Sequence, residues 1–220
     1  MKIIGHRGAT GLALENTIES IKAGLNAGAD IIEIDIRQTK DQHIVLNHDS
    51  DLRRCFGINL SVKNNTLRHL QLICPNLPTL EEALKILVNK TVIIELKGTM
   101  KPEIVLKITK NYPNVNMQFA SFNHQHIRTI KKLSPESFCF VLEHHSPFEI
   151  INKASKMKAD GIGLNYGVLN PLTYLLAKRK GLKIYTYTIN KLWIANLIKL
   201  FYREVNICTD YPDNLKNLES

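Results

Sequence analysis

The chain has 220 residues, with 29 Lys+Arg against 20 Asp+Glu for a formal net charge of +9, and 44% of its residues are apolar. Those values exclude a disordered, collagenous or membrane-bundle protein, and the length excludes a stapled mini-protein, leaving one domain over residues 1–220. The bases are scattered along helical stretches, not blocked into a tail or interleaved with aromatics, so the charge reads as a solvated surface and nucleic acid is not an expected partner.

Lys2-Ile3-Ile4-Gly5-His6 opens the chain as an apolar strand. A helix is predicted from about Thr17 to Ala27, with Ile18, Ile21 and Leu25 on one face, Asn16 and Glu19 as a capping-box-like start and Gly28 as its stop. Further strands are predicted at 31–36, 43–47, 91–96, 115–120, 138–142, 160–164, 183–188 and 205–208. Thr79 and Glu82 start another helix, and later ones fall at 102–110, 124–133, 147–157, 171–180 and 191–202. In the last two, the Leu172/Leu175/Leu176 and Trp193/Leu197/Leu200/Phe201 stripes read as core faces. Strand–helix alternation with near-continuous apolar strands implies a parallel sheet covered by helices. Nine strand candidates are one more than an α/β barrel of eight needs. Only Gln38 to Gln42 separates runs 31–36 and 43–47, too little for a parallel crossover, so these two form a hairpin or an irregular excursion. The stretch 50–77 is polar and Asn-rich and reads as a long loop or short insertion. Cys55, Cys74, Cys139 and Cys208 make no C-x-x-C pair, which suggests reduced thiols. With no leader-like segment ahead of the first strand, the expected location is the cytoplasm.

The chemistry concentrates in the first hundred residues. In Ile31-Ile32-Glu33-Ile34-Asp35-Ile36, alternation puts Glu33 and Asp35 on one face and the isoleucines on the other. Two carboxylates inside a barrel repel each other and lose hydration unless a cation is present. Glu95 in Ile93-Ile94-Glu95-Leu96-Lys97 is a third acid in an equivalent setting, and three carboxylates suit Mg²⁺ or Ca²⁺ better than zinc. The plainer alternative is an exposed strand face, or ion pairs with Arg7 and Lys97. His6 and His48 end strands, where α/β barrels place their chemistry. A hairpin centred between Lys40 and Asp41 would set His48 opposite Glu33. Near-neutral pKa values suit two histidines to proton transfer, while Arg7 and Lys97 can stabilise charge on a phosphoryl group. His43, His69, His124, His126, His144 and His145 lack comparable partners and read as surface or capping residues.

Taken together, His6-Arg7-Gly8, Glu15-Asn16-Thr17, Gly28-Ala29-Asp30, Glu33-Ile34-Asp35, His48-Asp49, Pro78-Thr79-Leu80-Glu81-Glu82, Glu95-Leu96-Lys97, Ser121-Phe122 and Thr209-Asp210 resemble the glycerophosphodiester phosphodiesterase family, in its order and over nearly the whole chain. The resemblance implies a TIM-type (β/α)8 barrel that hydrolyses glycerophosphodiesters to sn-glycerol 3-phosphate and an alcohol with a divalent cation. It implies Glu33, Asp35 and Glu95 as metal ligands, His6 and His48 as the acid–base pair, and Arg7 and Lys97 as phosphate contacts. Tyr187 occupies a substrate-pocket position that is usually Trp, a departure that bears on substrate preference and not on the reaction. Leu14, Asp41-Gln42 and Cys55 also depart from the usual pattern. The alternatives are a lysophospholipase D-like activity on membrane lysolipids, favoured by net charge and by exposed loop residues such as Phe56 and Ile58 with weak membrane-surface contact, and a catalytically silent phosphate-binding module.

Overall fold

The computed structural model describes residues Met1–Leu218. Among the described residues, eleven strands and nine α-helices follow in chain order: β1 (Ile3–Gly5), α1 (Ile18–Asn26), β2 (Ile31–Gln38), β3 (Ile44–Leu46), β4 (Asp51–Leu52), α2 (Arg53–Phe56), β5 (Ile58–Ser61), α3 (Leu67–Ile73), α4 (Leu80–Ile86), β6 (Thr91–Leu96), α5 (Pro102–Thr109), β7 (Asn116–Ser121), α6 (His124–Leu133), β8 (Phe138–Glu143), α7 (Pro147–Lys156), β9 (Gly161–Asn165), α8 (Pro171–Arg179), β10 (Lys183–Tyr187), α9 (Leu192–Phe201) and β11 (Asn206–Thr209). Eight of the strands are parallel neighbours in the order β1-β2-β6-β7-β8-β9-β10-β11, and β11 returns to β1 to close the barrel. This is the TIM-type architecture expected from the alternation. The ninth apolar run is β3, antiparallel to β2 on its outer end.

Strand alternation divides the apolar residues between two cores. Ile32, Ile34, Ile36, Val92 and Ile94 point outward into the layer shared with the helices, whereas Ile4, Ile31, Ile93, Phe140, Leu142 and Tyr185 fill the barrel axis. Helix starts are set by local side-chain bonds. In α4, Thr79 accepts from the Glu82 N–H while Glu82 accepts from the Thr79 N–H, a reciprocal cap. The start of α1 differs from expectation. Thr17, not Asn16, is the cap, accepting from the Ser20 N–H, and Asn16 sits in the left-handed region at φ 55°.

Two further expectations change. Residues 50–77 are structured as the β4–β5 hairpin, α2 and α3 around a small core of Val45, Leu52, Val62, Leu70, Cys74 and Leu77. Phe56 and Ile58 pack partly buried against it, so they are not the exposed apolar loop expected to favour a membrane substrate. Most of the two stripes faces outward: Leu172 and Leu175 are about half exposed, and Trp193 and Phe201 are 61% and 65% exposed, while Leu176 is partly buried against the core as expected. Thr173 and Ala177 of α8 and Ala195 and Ile198 of α9 are buried, and the small Thr and Ala side chains let the helices approach the sheet closely.

Removing the α4 cap by Thr79→Ala is expected to lower stability by about 1 kcal/mol. A urea titration should show this as a lower midpoint at unchanged slope.

Candidate active site

Residue parity on two neighbouring strands builds the acid cluster. Asp35 of β2 is in register with Glu95 of β6, and Glu33 lies two residues deeper on the same face. All three are more than nine-tenths buried, and each offers an oxygen within 4.8 Å of the others. Burial, then the charges of Asp35 and Glu95, push the Glu33 carboxyl well above its usual range. Burial and Asp35 push Glu95 to about 7 against the pull of Lys97. Burial also opposes ionisation of Asp35, but Lys97 and Arg7 outweigh it and leave that carboxyl below its usual value.

The partners explain how one buried carboxylate stays charged. Lys97 Nζ lies 3.2 Å from Asp35 Oδ1 and 2.5 Å from Glu95 Oε1, and Arg7 Nε lies 3.2 Å from Asp35 Oδ2. Asn16 clamps the same residue twice: its side-chain amide donates to Asp35 Oδ2, and its Oδ1 accepts from the Asp35 N–H, both at 2.9 Å. That clamp is what the left-handed backbone of Asn16 serves, and asparagine tolerates this conformation better than most residues. Arg7 is also left-handed, at φ 52°, which turns its N–H onto Glu33 Oε2 at 2.8 Å. The next residue has to be glycine. A Cβ on Gly8, at φ 90°, would lie 2.3 Å from Ser20 Oγ.

His6 and His48 line one cavity with Glu33 and Glu95, and each is oriented by an aspartate. His6 Nδ1 lies 2.6 Å from Asp210 Oδ1, and His48 Nδ1 lies 2.7 Å from Asp49 Oδ1. A carboxylate accepts, so in each ring Nδ1 carries the proton and Nε2 is left for the pocket. Hydrogen bonds from His6 and Asn190 overcome burial and hold the Asp210 carboxyl below its usual value. Those from Arg54 and His48 likewise bring Asp49 to about 2. Burial and the nearby Lys97 charge lower the His48 pKa, against the opposing pull of Asp35 and Asp49.

The hairpin that delivers His48 has a different register from the one expected. Ile36 pairs with Leu46 and Gln38 with Ile44, so continuing the ladder would set His48 opposite Ile34, not Glu33. The turn holds three residues, Lys40 to Gln42, closed by Thr39 N–H to His43 C=O and with Gln42 left-handed, instead of the two assumed. The chain leaves the ladder after Leu46. Arg37 then donates from Nε and Nη2 to the His48 carbonyl, and the imidazole lines the same cavity as Glu33.

That cavity, about 320 Å³, also takes in Arg7, Glu95, Lys97 and Tyr187. Tyr187 donates to the Glu143 carbonyl. The residues singled out in the sequence therefore converge here, with Asp35 reached through its contacts to Lys97 and Arg7. His144, read as a surface residue, is exposed yet stacks on Phe122 with ring centroids 4.2 Å apart and lines the pocket. His126, grouped with it, is buried against Ser121 and Asn123. Sequence reasoning makes Asn16 a helix cap and gives no role to the side chains of Glu15, Asp49, Asp210 or Arg54, although each lies inside or beside a motif. Arg54, from the insertion, makes a bidentate pair with Glu15 and a further bond to Asp49, and Glu15 in turn holds Arg7.

An all-oxygen cluster fits a hard cation better than zinc. Glu33 Oε1 is buried with no hydrogen-bond partner among the described residues, which is what a ligand position requires.

A barrel that gathers acids, two histidines and two cations at the C-terminal ends of its strands carries the kinds of group that hydrolysis of a phosphoric diester needs. Residues 6–214 match the glycerophosphoryl diester phosphodiesterase family, and the chain belongs to that family. It is 28% identical to the glycerophosphodiester phosphodiesterase of Caldanaerobacter subterraneus subsp. tengcongensis, an alignment covering 98% of this chain and 96% of that protein. The crystal structure of the Thermotoga maritima glycerophosphodiester phosphodiesterase superposes with a TM-score of 0.88 at 25% identity, over 99% and 98% of the two chains. An Oleispira antarctica phosphodiesterase, solved in complex with the product sn-glycerol-3-phosphate, shares the fold at a TM-score of 0.92 and 22% identity, over 100% and 97%.

Replacing Asn16 by Ala strands a buried N–H and a carboxylate oxygen of Asp35. The expected cost is about 1–3 kcal/mol of stability, measured by chemical denaturation, with a parallel fall in turnover because Asp35 loses its orientation.

Proposed function

We propose that this chain hydrolyses small glycerophosphodiesters to sn-glycerol 3-phosphate and an alcohol, with His6 and His48 exchanging protons across the acid cluster. The observation that carries the reading is the pair of aspartate-oriented imidazoles, both with Nε2 available to one cavity that also holds Arg7 and Lys97. The product bound in the Oleispira antarctica phosphodiesterase supports a substrate of the same size and chemistry.

In this reading Glu33, Asp35 and Glu95 hold Mg²⁺ or Ca²⁺. When bound, the cation neutralises the cluster and withdraws charge from a phosphate oxygen. His48, whose pKa is depressed, is neutral at pH 7, and its Nε2 takes the proton from the attacking hydroxyl, whether of water or of the neighbouring glycerol carbon. His6, held through Nδ1 by Asp210, delivers a proton from Nε2 to the departing alkoxide. Arg7 and Lys97 bring two positive charges to the side of the cavity where the phosphorane gathers negative charge. Tyr187 and Phe122 supply an apolar wall for the substrate. A catalytically silent module accounts less well for a site in which both proton carriers keep their orienting acids. The lysolipid alternative loses the argument it drew from Phe56 and Ile58.

The direct test follows glycerol 3-phosphate release from glycerophosphocholine and glycerophosphoethanolamine. Chelation by EDTA should abolish release, and Mg²⁺ or Ca²⁺ should restore it. Activity that is indifferent to EDTA would remove the cation from the reading. His6→Ala and His48→Ala should each lower kcat by at least about 10²-fold. A pH dependence follows from the sign of the His48 shift. A base with a depressed pKa stays deprotonated below the ordinary histidine value of about 6.5, so the acid limb of kcat/KM should fall below that pH and disappear in His48→Ala.

A further inference from the structure

We propose that the outer face of α8 and α9 docks the enzyme on an anionic lipid surface. The face is one continuous patch. Leu172 and Leu175 of α8 and Leu192, Trp193, Leu197, Leu200 and Phe201 of α9 are all exposed, and Tyr174 against Tyr202, with ring centroids 5.3 Å apart, joins the two helices. Trp193, Leu197 and Leu200 recur at helical spacing on the side of α9 away from the barrel. The buried side of the same helix is supplied by Ala195 and Ile198. A helix of a soluble barrel needs one apolar face, and α9 has two.

Charge selects the occupant. Residues 161–203 contain seven Lys or Arg and no Asp or Glu, an imbalance that accounts for most of the chain's net charge. Lys178, Arg179 and Lys180 close α8, Lys191 precedes α9, and Lys199 and Arg203 flank its end. Lys178 pairs with Glu204 at the edge of the patch, and Lys199 donates to the Leu218 carbonyl. Beside the last turn of α9, a groove of about 590 Å³ mixes Leu200, Met1 and Leu218 with Lys199 and Arg203. Trp, Phe and Leu on a helix surface bordered by Lys and Arg are the composition of an interfacial helix. The aromatic and aliphatic groups enter the acyl boundary while the bases meet lipid phosphates. A second copy of this chain is a poorer occupant, because a two-fold contact sets the patch against itself and brings its flanking bases against their own copies. The helices follow directly on the C-terminal ends of β9 and β10, so Leu172 and Trp193 lie at the same end of the barrel as the catalytic cavity. Docking by this flank would hold the cavity mouth beside the lipid while leaving it open to water.

Trp193 is the only tryptophan, so the patch carries its own reporter. Vesicles of equimolar phosphatidylglycerol and phosphatidylcholine should shift its emission to the blue, and lipids brominated in the acyl chain should quench it. The protein should co-sediment with these vesicles and release as salt rises, and vesicles of phosphatidylcholine alone should do little. The double variant L197D/L200D, and separately K191E/R203E, should weaken partitioning by at least about tenfold, with hydrolysis of soluble glycerophosphocholine unchanged as the control for folding. Unmoved emission and a soluble protein in the presence of anionic vesicles would overturn the proposal. So would a blue shift that tracks protein concentration without lipid, together with a dimer mass in sedimentation, since the face would then belong to a second copy. Wild-type vesicle binding by both variants would assign any lipid contact to another surface.

Discussion

Glu33, Asp35 and Glu95 bring three carboxylates out of water within 4.8 Å of one another. At that spacing each ionised pair would repel by about 4 kcal/mol even at an effective dielectric near 20. The surrounding structure is arranged to make this tolerable. Lys97 and Arg7 converge on Asp35, which remains the charged member, while Glu33 and Glu95 are driven toward the protonated state. Asn16 then fixes Asp35 through both its backbone and its side chain. The two cations therefore answer the acids within the protein itself.

Placing those groups costs backbone strain and close packing at the first turn of the chain. Arg7 and Asn16 both adopt left-handed conformations, at about 1–3 kcal/mol each for a residue held there without compensation. Both are held by the bonds that aim them at β2. The Arg7 carbonyl accepts from the Asn16 N–H and from Ser20 Oγ, so the loop after β1 and the start of α1 lock as one piece against the acid cluster. The acids are thus held by bonds from the loop after β1, while Phe122, His144 and Tyr187 contribute aromatic rings to the same cavity.

Much of this was legible from residue order alone. The apolar runs gave all eight barrel strands and β3, because buried parallel strands leave an unbroken apolar signature. The parity of Glu33, Asp35 and Ile34 gave the inward acids. What failed did so for local reasons. The two-residue turn assumed between β2 and β3 shifted the register by one, since nothing in Lys40-Asp41-Gln42 announces that Gln42 accepts a left-handed conformation. Asn16 looked like a helix cap because its side chain suits that role, and only the folded chain shows it reaching 19 residues onward to Asp35. On α8 and α9 most of the large stripe residues are exposed, Leu176 excepted, because size alone does not indicate burial and Thr173, Ala177 and Ala195 are the small buried residues. The partners Asp49 and Asp210 were already inside the matching motifs, but the sequence does not reveal which atom of a neighbouring imidazole they hold.

The insertion of residues 50–77 deserves a thermodynamic reading. It folds around its own small core, yet Arg54 ties it to Glu15 on one side and to Asp49 on the other. Through Glu15 it reaches Arg7, and through Asp49 it reaches His48. A local opening of this subdomain would therefore loosen the contacts of Arg7 and His48 in the same event, with no change in the barrel. The geometry of two cavity residues on separate loops is thus linked to the folding of one peripheral segment, and sequence changes within 50–77 can reach both without touching the barrel.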